Sequence, residues 1–218
     1  MKHDIILFDL DGTLTDPGEG ITNSVAYALR KLGQTPPPRA ELESYIGPPL
    51  VESFGKLAGL DRPTAELAVK YYREYFAETG IFENELYLGV HHMLQRLKDA
   101  GAVLCLATSK PTVFALKILE HFDLTKYFHQ VVGSELDGRR IKKADVINYA
   151  LELLEVTDKS RVVMVGDREH DTLGAAACGV YSVGVTYGYG SRQELTDNGA
   201  GHIVDSVEEL TEYLLTDC

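Results

Sequence analysis

The stretch LFDLDGTLTD, Leu7–Asp16, sets two carboxylates, Asp9 and Asp11, two residues apart on a glycine turn, directly behind an apolar run. The run itself, HDIILFDL (His3–Leu10), reads as a buried parallel strand, nearly all apolar and too short for a helix. Acids crowded at a strand end repel one another unless a cation lies between them or one keeps its proton. A metal ion and a reacting phosphate would satisfy both. The rest of the chain tests that reading.

Working outward, the strand pattern recurs in GAVLCLATS (Gly101–Ser109), HQVVGS (His129–Ser134), RVVMVGD (Arg161–Asp167) and VYSVGV (Val180–Val185), with HIV at 202–204 as a short edge. Helical periodicity fills the gaps: Val90, Met93, Leu94 and Leu97 share a face, as do Val113, Leu116, Ile118 and Leu119, and Val146, Ile147, Ala150, Leu151 and Leu154. Ser191 with Glu194, and Ser206 with Glu209, spell capping boxes. Strands alternating with helices predict an α/β fold with a parallel sheet covered on both faces.

One segment breaks the alternation. From Asp16 to about Leu86 there is no strand signal, only helical patterns separated by TPPP (Thr35–Pro38), GPP (Gly47–Pro49) and DRP (Asp61–Pro63). Ile21, Val25, Ala28, Leu29 and Leu32 make one stripe, and Leu67, Tyr71 and Tyr75 another. The expected organisation is a core of residues 1–15 and 87–218 with a helical bundle, 16–86, inserted after the first strand.

The chain has 218 residues and a net charge of −12, with no block of lysines or arginines. Binding to a nucleic acid polymer or an anionic membrane is therefore not expected. No apolar run approaches eighteen residues, Asp4 interrupts the start, and Cys105, Cys178 and Cys218 form no disulfide framework. The expectation is a cytoplasmic protein, a monomer or homodimer.

In an open parallel sheet, ligands bind beyond the carboxyl ends of the strands. There the chain places Asp9 and Asp11 after the first strand, Thr108, Ser109 and Lys110 after the second, and Asp167, Glu169 and Asp171 after the fourth. Lys142 and Lys143 open the helix before that fourth strand. Each group has a task in phosphoryl transfer. Asp9 is a carboxylate nucleophile. Oxygen-rich acid clusters suit Mg²⁺, with Asp9 and Asp167 as side-chain ligands and the Asp11 carbonyl as a third. Thr108 or Ser109, and the N–H groups of the helix they begin, hold phosphate oxygens. A lysine offsets the repulsion between nucleophile and phosphate, and Asp11 serves as acid and base. Lys110 adjoins the phosphate hydroxyl and is a further candidate at this edge, although a helix start at Pro111 would turn its side chain outward. Helical phase turns Lys143 toward the sheet, three and four residues before Val146 and Ile147, and leaves Lys142 toward solvent. Tyr187–Gly190 is expected to border the same edge. His91 and His92 point to different faces and make no metal pair.

DLDGTLTD, LATSKP, the lysine at 143 and VGDREHD, in this order, resemble the haloacid dehalogenase superfamily of phosphohydrolases, over nearly the whole chain. The resemblance implies a Rossmann-like core with a helical cap. It also implies Asp9 as nucleophile, Asp11 as acid/base, Thr108 as the phosphate hydroxyl, Lys143 as the lysine, Asp167 as metal ligand and Asp171 as a second acid that binds or orients the metal. The implied metal set is thus Asp9, Asp11, Asp167 and Asp171. The expected substrate contacts are Ser109 and Lys110 at the strand end, with Gly47 and Pro48 either a simple helix breaker or a loop of the cap that reaches the site. Asp11 argues against a true dehalogenase. DPGEGITNSV, YIGPPL, ATSKP, GSELDG and GVTYGYGS are similar to the phosphoglycolate phosphatase and 5′-nucleotidase-like groups. The implied activity is hydrolysis of a small phosphorylated substrate. A phosphomutase and a non-enzymatic receiver-like phosphoacceptor are the alternatives.

Overall fold

The computed structural model describes residues 3–216, so Cys218 lies outside the described residues. The chain divides into two compact units, one holding the residues up to Thr15 and from Leu86 onward, the other Asp16–Glu85.

The first unit opens with β1 (Ile5–Phe8), and the chain leaves it through a two-residue strand, β2 (Thr15–Asp16). Four helices follow: α1 (Gly18–Lys31), α2 (Arg39–Leu42), α3 (Leu50–Leu57) and α4 (Arg62–Tyr75), the last extended by a π-helical turn at Phe76–Gly80. Asp61 caps α4, its carboxylate accepting from Thr64 N–H, with Pro63 in the first turn where no N–H is missed. Ile21, Val25, Ala28 and Leu29 of α1 are buried as their spacing requires. On α4 the buried residues are Ala65, Ala68, Val69 and Tyr72, whereas Leu67 is exposed and Tyr71 and Tyr75 only half-buried. Small residues form the inward face of α4, and Tyr75 sits at its border with its hydroxyl on Glu83. Gly20 matters here, because any side chain on it would overlap the Gly80 carbonyl. The chain returns through β3 (Glu85–Leu86), which pairs with β2. Two residues are too few for a periodic strand signal, which is why neither strand is legible in the sequence.

The first unit then completes itself with α5 (Val90–Asp99), β4 (Val103–Pro111), α6 (Thr112–His121), β5 (Gln130–Ser134), α7 (Lys143–Leu153), β6 (Val162–Gly166), α8 (Glu169–Cys178), β7 (Tyr181–Val185), α9 (Arg192–Asp197), β8 (His202–Val204) and α10 (Val207–Thr216). The six-stranded sheet runs β5-β4-β1-β6-β7-β8, with every pairing parallel. The chain therefore builds outward from β1 in one direction and then in the other. This order puts the topological switch point between β1 and β6. Leu7, Cys105, Val132 and Met164 from four adjacent strands pack with Val146, Ile147, Ala150 and Leu151 of α7 in one core cluster. Helix α6 departs from its expected face: Phe114, Ala115, Ile118 and Leu119 are buried, while Val113 and Leu116 are exposed. Both sets fit a helical stripe, and the aromatic ring takes the sheet.

Candidate active site

The carboxyl ends of β1, β4 and β6 converge, and with them the start of α7. Asp9 follows β1; its N–H donates to Val165 O, and its Oδ1 accepts from Leu10 N–H at 2.8 Å. The next turn reverses sharply, with Gly12 at φ +80° and its N–H on Thr15 O. Asp167 follows β6 and is buried; Oδ2 accepts from Tyr189 N–H at 2.8 Å, and Oδ1 from the Thr13 hydroxyl at 3.4 Å. Asp171 lies in the first turn of α8, with Oδ2 accepting from Arg168 N–H at 3.1 Å.

Lys143, 5% exposed, points inward as helical phase requires, whereas Lys142 is exposed. Its ammonium lies 2.9 Å from Asp9 Oδ1 and 2.8 Å from Asp171 Oδ1, and donates to Ala107 O at 3.0 Å. One cation thus ties together the end of β1, the middle of β4 and the start of α8. Burial works against the charged ammonium, but Asp171 and Asp9 outweigh it and hold the pKa above the ordinary lysine range. Gly174 makes this possible. A methyl group there would sit 2.8 Å from Lys143 Cγ, so the lysine stem occupies the space that a side chain on α8 would fill.

Asp9, Asp167 and Asp171 each offer an oxygen within 4.8 Å of the others'. Asp167 has neutral hydrogen-bond donors, and with all three acids ionised the ammonium that touches Asp9 and Asp171 leaves a net negative charge. Burial, then the charges of Asp171 and Asp9, push Asp167 up to about 8. Burial likewise raises Asp171, against the opposing pull of Lys143. An all-oxygen cluster carrying surplus buried charge fits a hard divalent cation such as Mg²⁺.

Asp11 was expected to offer a metal its backbone carbonyl, and its side chain is engaged elsewhere. Asp11's carboxylate is not in the three-acid cluster: Oδ2 pairs with Lys110 Nζ at 2.7 Å, and Oδ1 is buried with no hydrogen-bond partner among the described residues. Burial raises its pKa and Lys110 opposes the rise. Lys110 faces inward, which settles a direction that its adjacency to Pro111 left open in the sequence. The reason is that β4 continues through Pro111 instead of stopping at Ser109, so period-two alternation puts Lys110 on the same side as Thr108. Thr108 is buried and its hydroxyl accepts from Lys110 N–H; the Ser109 carbonyl accepts from the Ser134 hydroxyl. Gly47 and Pro48 belong to the helical unit, in the turn between Tyr45 and α3, where Gly47 has φ +102°.

Gly174 was not visible in the sequence. Tyr187–Gly190, expected at this edge from its position beyond a strand end, lies against the turn after β1: Tyr187 donates its hydroxyl to Thr13 O at 3.0 Å. Glu194, read as half of a capping box, instead accepts from the Arg168 guanidinium and from Glu169 N–H, although Ser191 does cap α9.

This sheet order and this acid–lysine constellation have a family. The model of haloacid dehalogenase-like hydrolases matches residues 6–185, and the chain belongs to that family. It is 44% identical over 214 residues to a Pseudomonas aeruginosa protein named 5′-nucleotidase, covering 98% of this chain and 96% of that one. It is 40% identical to the Mycobacterium tuberculosis protein named tyrosine-protein kinase PtkA, covering 96% of this chain and 72% of the other. The crystal structure of a predicted phosphatase from Clostridium acetobutylicum superposes with a TM-score of 0.94 at 48% identity, covering 99% of each chain. Among the described residues no helix is long and apolar enough to cross a membrane.

Proposed function

We propose that this hydrolase is a Mg²⁺-dependent phosphatase acting on a small phosphomonoester, a nucleoside 5′-monophosphate by preference, through an aspartyl-phosphate on Asp9. The observation that carries the reading is the Lys143 ammonium shared between Asp9 and Asp171 beside the buried Asp167. The relative named 5′-nucleotidase supports the substrate class. Asp9, Asp167 and Asp171 would hold Mg²⁺, which when bound offsets the charge between the nucleophile and the phosphate.

The chain's own residues supply the rest. Leu10 N–H and Lys143 occupy Asp9 Oδ1, which assigns the attack on phosphorus to Oδ2. As the new Oδ2–P bond forms and the bond to the leaving oxygen breaks, Asp11 delivers a proton to that oxygen. In the second half, Asp11 removes a proton from water, water attacks phosphorus, and the Asp9–P bond breaks to release phosphate. Lys110 keeps the Asp11 carboxylate in place through the 2.7 Å pair. Thr108 and Ser109 are assigned to the phosphate oxygens, and Gly47 and Pro48 to recognition of the leaving group.

Chelation with EDTA is expected to abolish phosphate release and added Mg²⁺ to restore it. Mg²⁺ should also raise the melting temperature, because it relieves the repulsion among the three acids. Metal-independent turnover after exhaustive chelation would overturn the cofactor assignment. A screen over nucleoside monophosphates, phosphoglycolate, sugar phosphates and pyrophosphate tests the substrate, with the highest kcat/KM expected on a nucleoside monophosphate. Pro48→Ala should change the ranking among these substrates, and a uniform loss on all of them would refute its role. Phosphotyrosine formation from ATP without phosphate release would place the chain functionally with its mycobacterial relative instead.

A further inference from the structure

The segment after β7 lies against the acid cluster without adding an acid to it. Tyr187 donates its hydroxyl to Thr13 O at 3.0 Å, and its ring meets Tyr87 edge-on with centroids 5.0 Å apart. Two residues on, Tyr189 N–H donates to Asp167 Oδ2 at 2.8 Å. Between them, a methyl group on Gly188 would sit 2.6 Å from both Asp167 Cβ and Asp167 Oδ2, and closer still to the Gly12 carbonyl. A side chain at Gly190 would overlap the Asp167 carbonyl. All four residues of this tight segment therefore touch either Asp167 or the Gly12–Thr13 turn that follows Asp9.

We infer that Tyr187–Gly190 is the positioning segment of the metal site: it holds the turn after β1 and the Asp167 carboxylate at one fixed separation, and thereby sets the affinity for Mg²⁺. The inference rests on the Mg²⁺ reading above. Asp9 and Asp167 come from the neighbouring strands β1 and β6, whose ladder ends at Phe8 and Val165. Beyond that point, among the described residues, Asp9 N–H still reaches Val165 O and the Thr13 hydroxyl reaches Asp167 Oδ1 at 3.4 Å. The Tyr187 hydroxyl and the Tyr189 N–H add shorter links from the side, one to the Gly12–Thr13 turn and one to Asp167. Outer partners of this kind orient metal ligands, and their loss commonly weakens metal binding by about 10–100-fold.

Tyr187→Phe keeps the ring against Tyr87 and removes only the hydroxyl. Titration calorimetry of Mg²⁺ into the metal-stripped full-length protein should show Kd raised about tenfold in Tyr187→Phe. Turnover should recover toward the wild-type value at saturating Mg²⁺, so that the Mg²⁺ dependence shifts while kcat is largely kept. The melting temperature in EDTA should move little. Tyr213→Phe is the control, since it also removes an internal hydroxyl contact, to Tyr181, within the same unit; its Mg²⁺ affinity should match the wild type. A Tyr187→Phe Kd within twofold of wild type, or an equal loss in Tyr213→Phe, overturns the inference. Absence of Mg²⁺ binding by the wild-type protein itself overturns the cofactor reading, and this inference with it.

Discussion

Asp9→Asn is expected to reduce phosphatase turnover to background. The amide is nearly isosteric and its oxygen still accepts from Leu10 N–H, but it is a poor nucleophile. Phosphomonoester hydrolysis without a catalyst is so slow that enzymes gain up to about 10²¹-fold over it, so little rate survives once the attacking group is gone. The fold should persist. Neutralising Asp9 weakens one contact of Lys143 but also removes one of the charges that raise Asp167 and Asp171, and the two effects oppose. A melting temperature in EDTA within a few degrees of wild type, together with lost turnover, is the combination that supports a covalent mechanism. Substantial residual turnover would sink it.

Lys143→Ala is expected to lower turnover by several orders of magnitude and, unlike Asp9→Asn, to destabilise the protein. The substitution strips the cation from Asp9 and Asp171 at once and leaves Ala107 O without its donor. Breaking a buried ion pair from one side typically costs about 3–5 kcal/mol, because the remaining charge is uncompensated. Lys142→Ala, next to it but exposed, should change both quantities little. Thermal melts and kcat measured side by side separate the two variants. A larger loss in Lys142→Ala would mean that the assignment of the lysine is wrong.

The sheet was largely legible because buried parallel strands are written as unbroken apolar runs, and each such run in this chain became a strand. The orientation of Lys143 was legible for a related reason: the helical period is fixed, and Val146 and Ile147 mark its buried side. The direction of Lys110 was not legible because Pro111 resembles the first residue of a helix, while the strand in fact continues through it. Gly174, and the close approach that Gly188 permits, could not be read. A glycine required by the close approach of a distant lysine stem or carboxylate looks, in sequence, like any other. Thr108 was expected at a strand end but lies within β4, and its hydroxyl accepts from Lys110 N–H in the stretch where the β4–β5 register shifts. Local pattern therefore located the chemistry, and the contacts that tune it came from elements far apart in the chain.

The two-residue strands that join the units carry a consequence for how such a chain diversifies. Because β2 and β3 pair, the chain departs and comes back at adjoining points, and Tyr87 N–H reaches Leu14 O just inside them. Paired strands lie about 4.8 Å apart, a gap that any insert with neighbouring ends can bridge. Lengthening, trimming or exchanging residues 17–84 thus need not disturb the β1–β6 ladder, from whose ends Asp9 and Asp167 project. Selection can rewrite one segment for new substrates while the reaction chemistry is inherited unchanged, and a chimaera joined at Asp16 and Glu85 is the natural seam for doing the same in the laboratory.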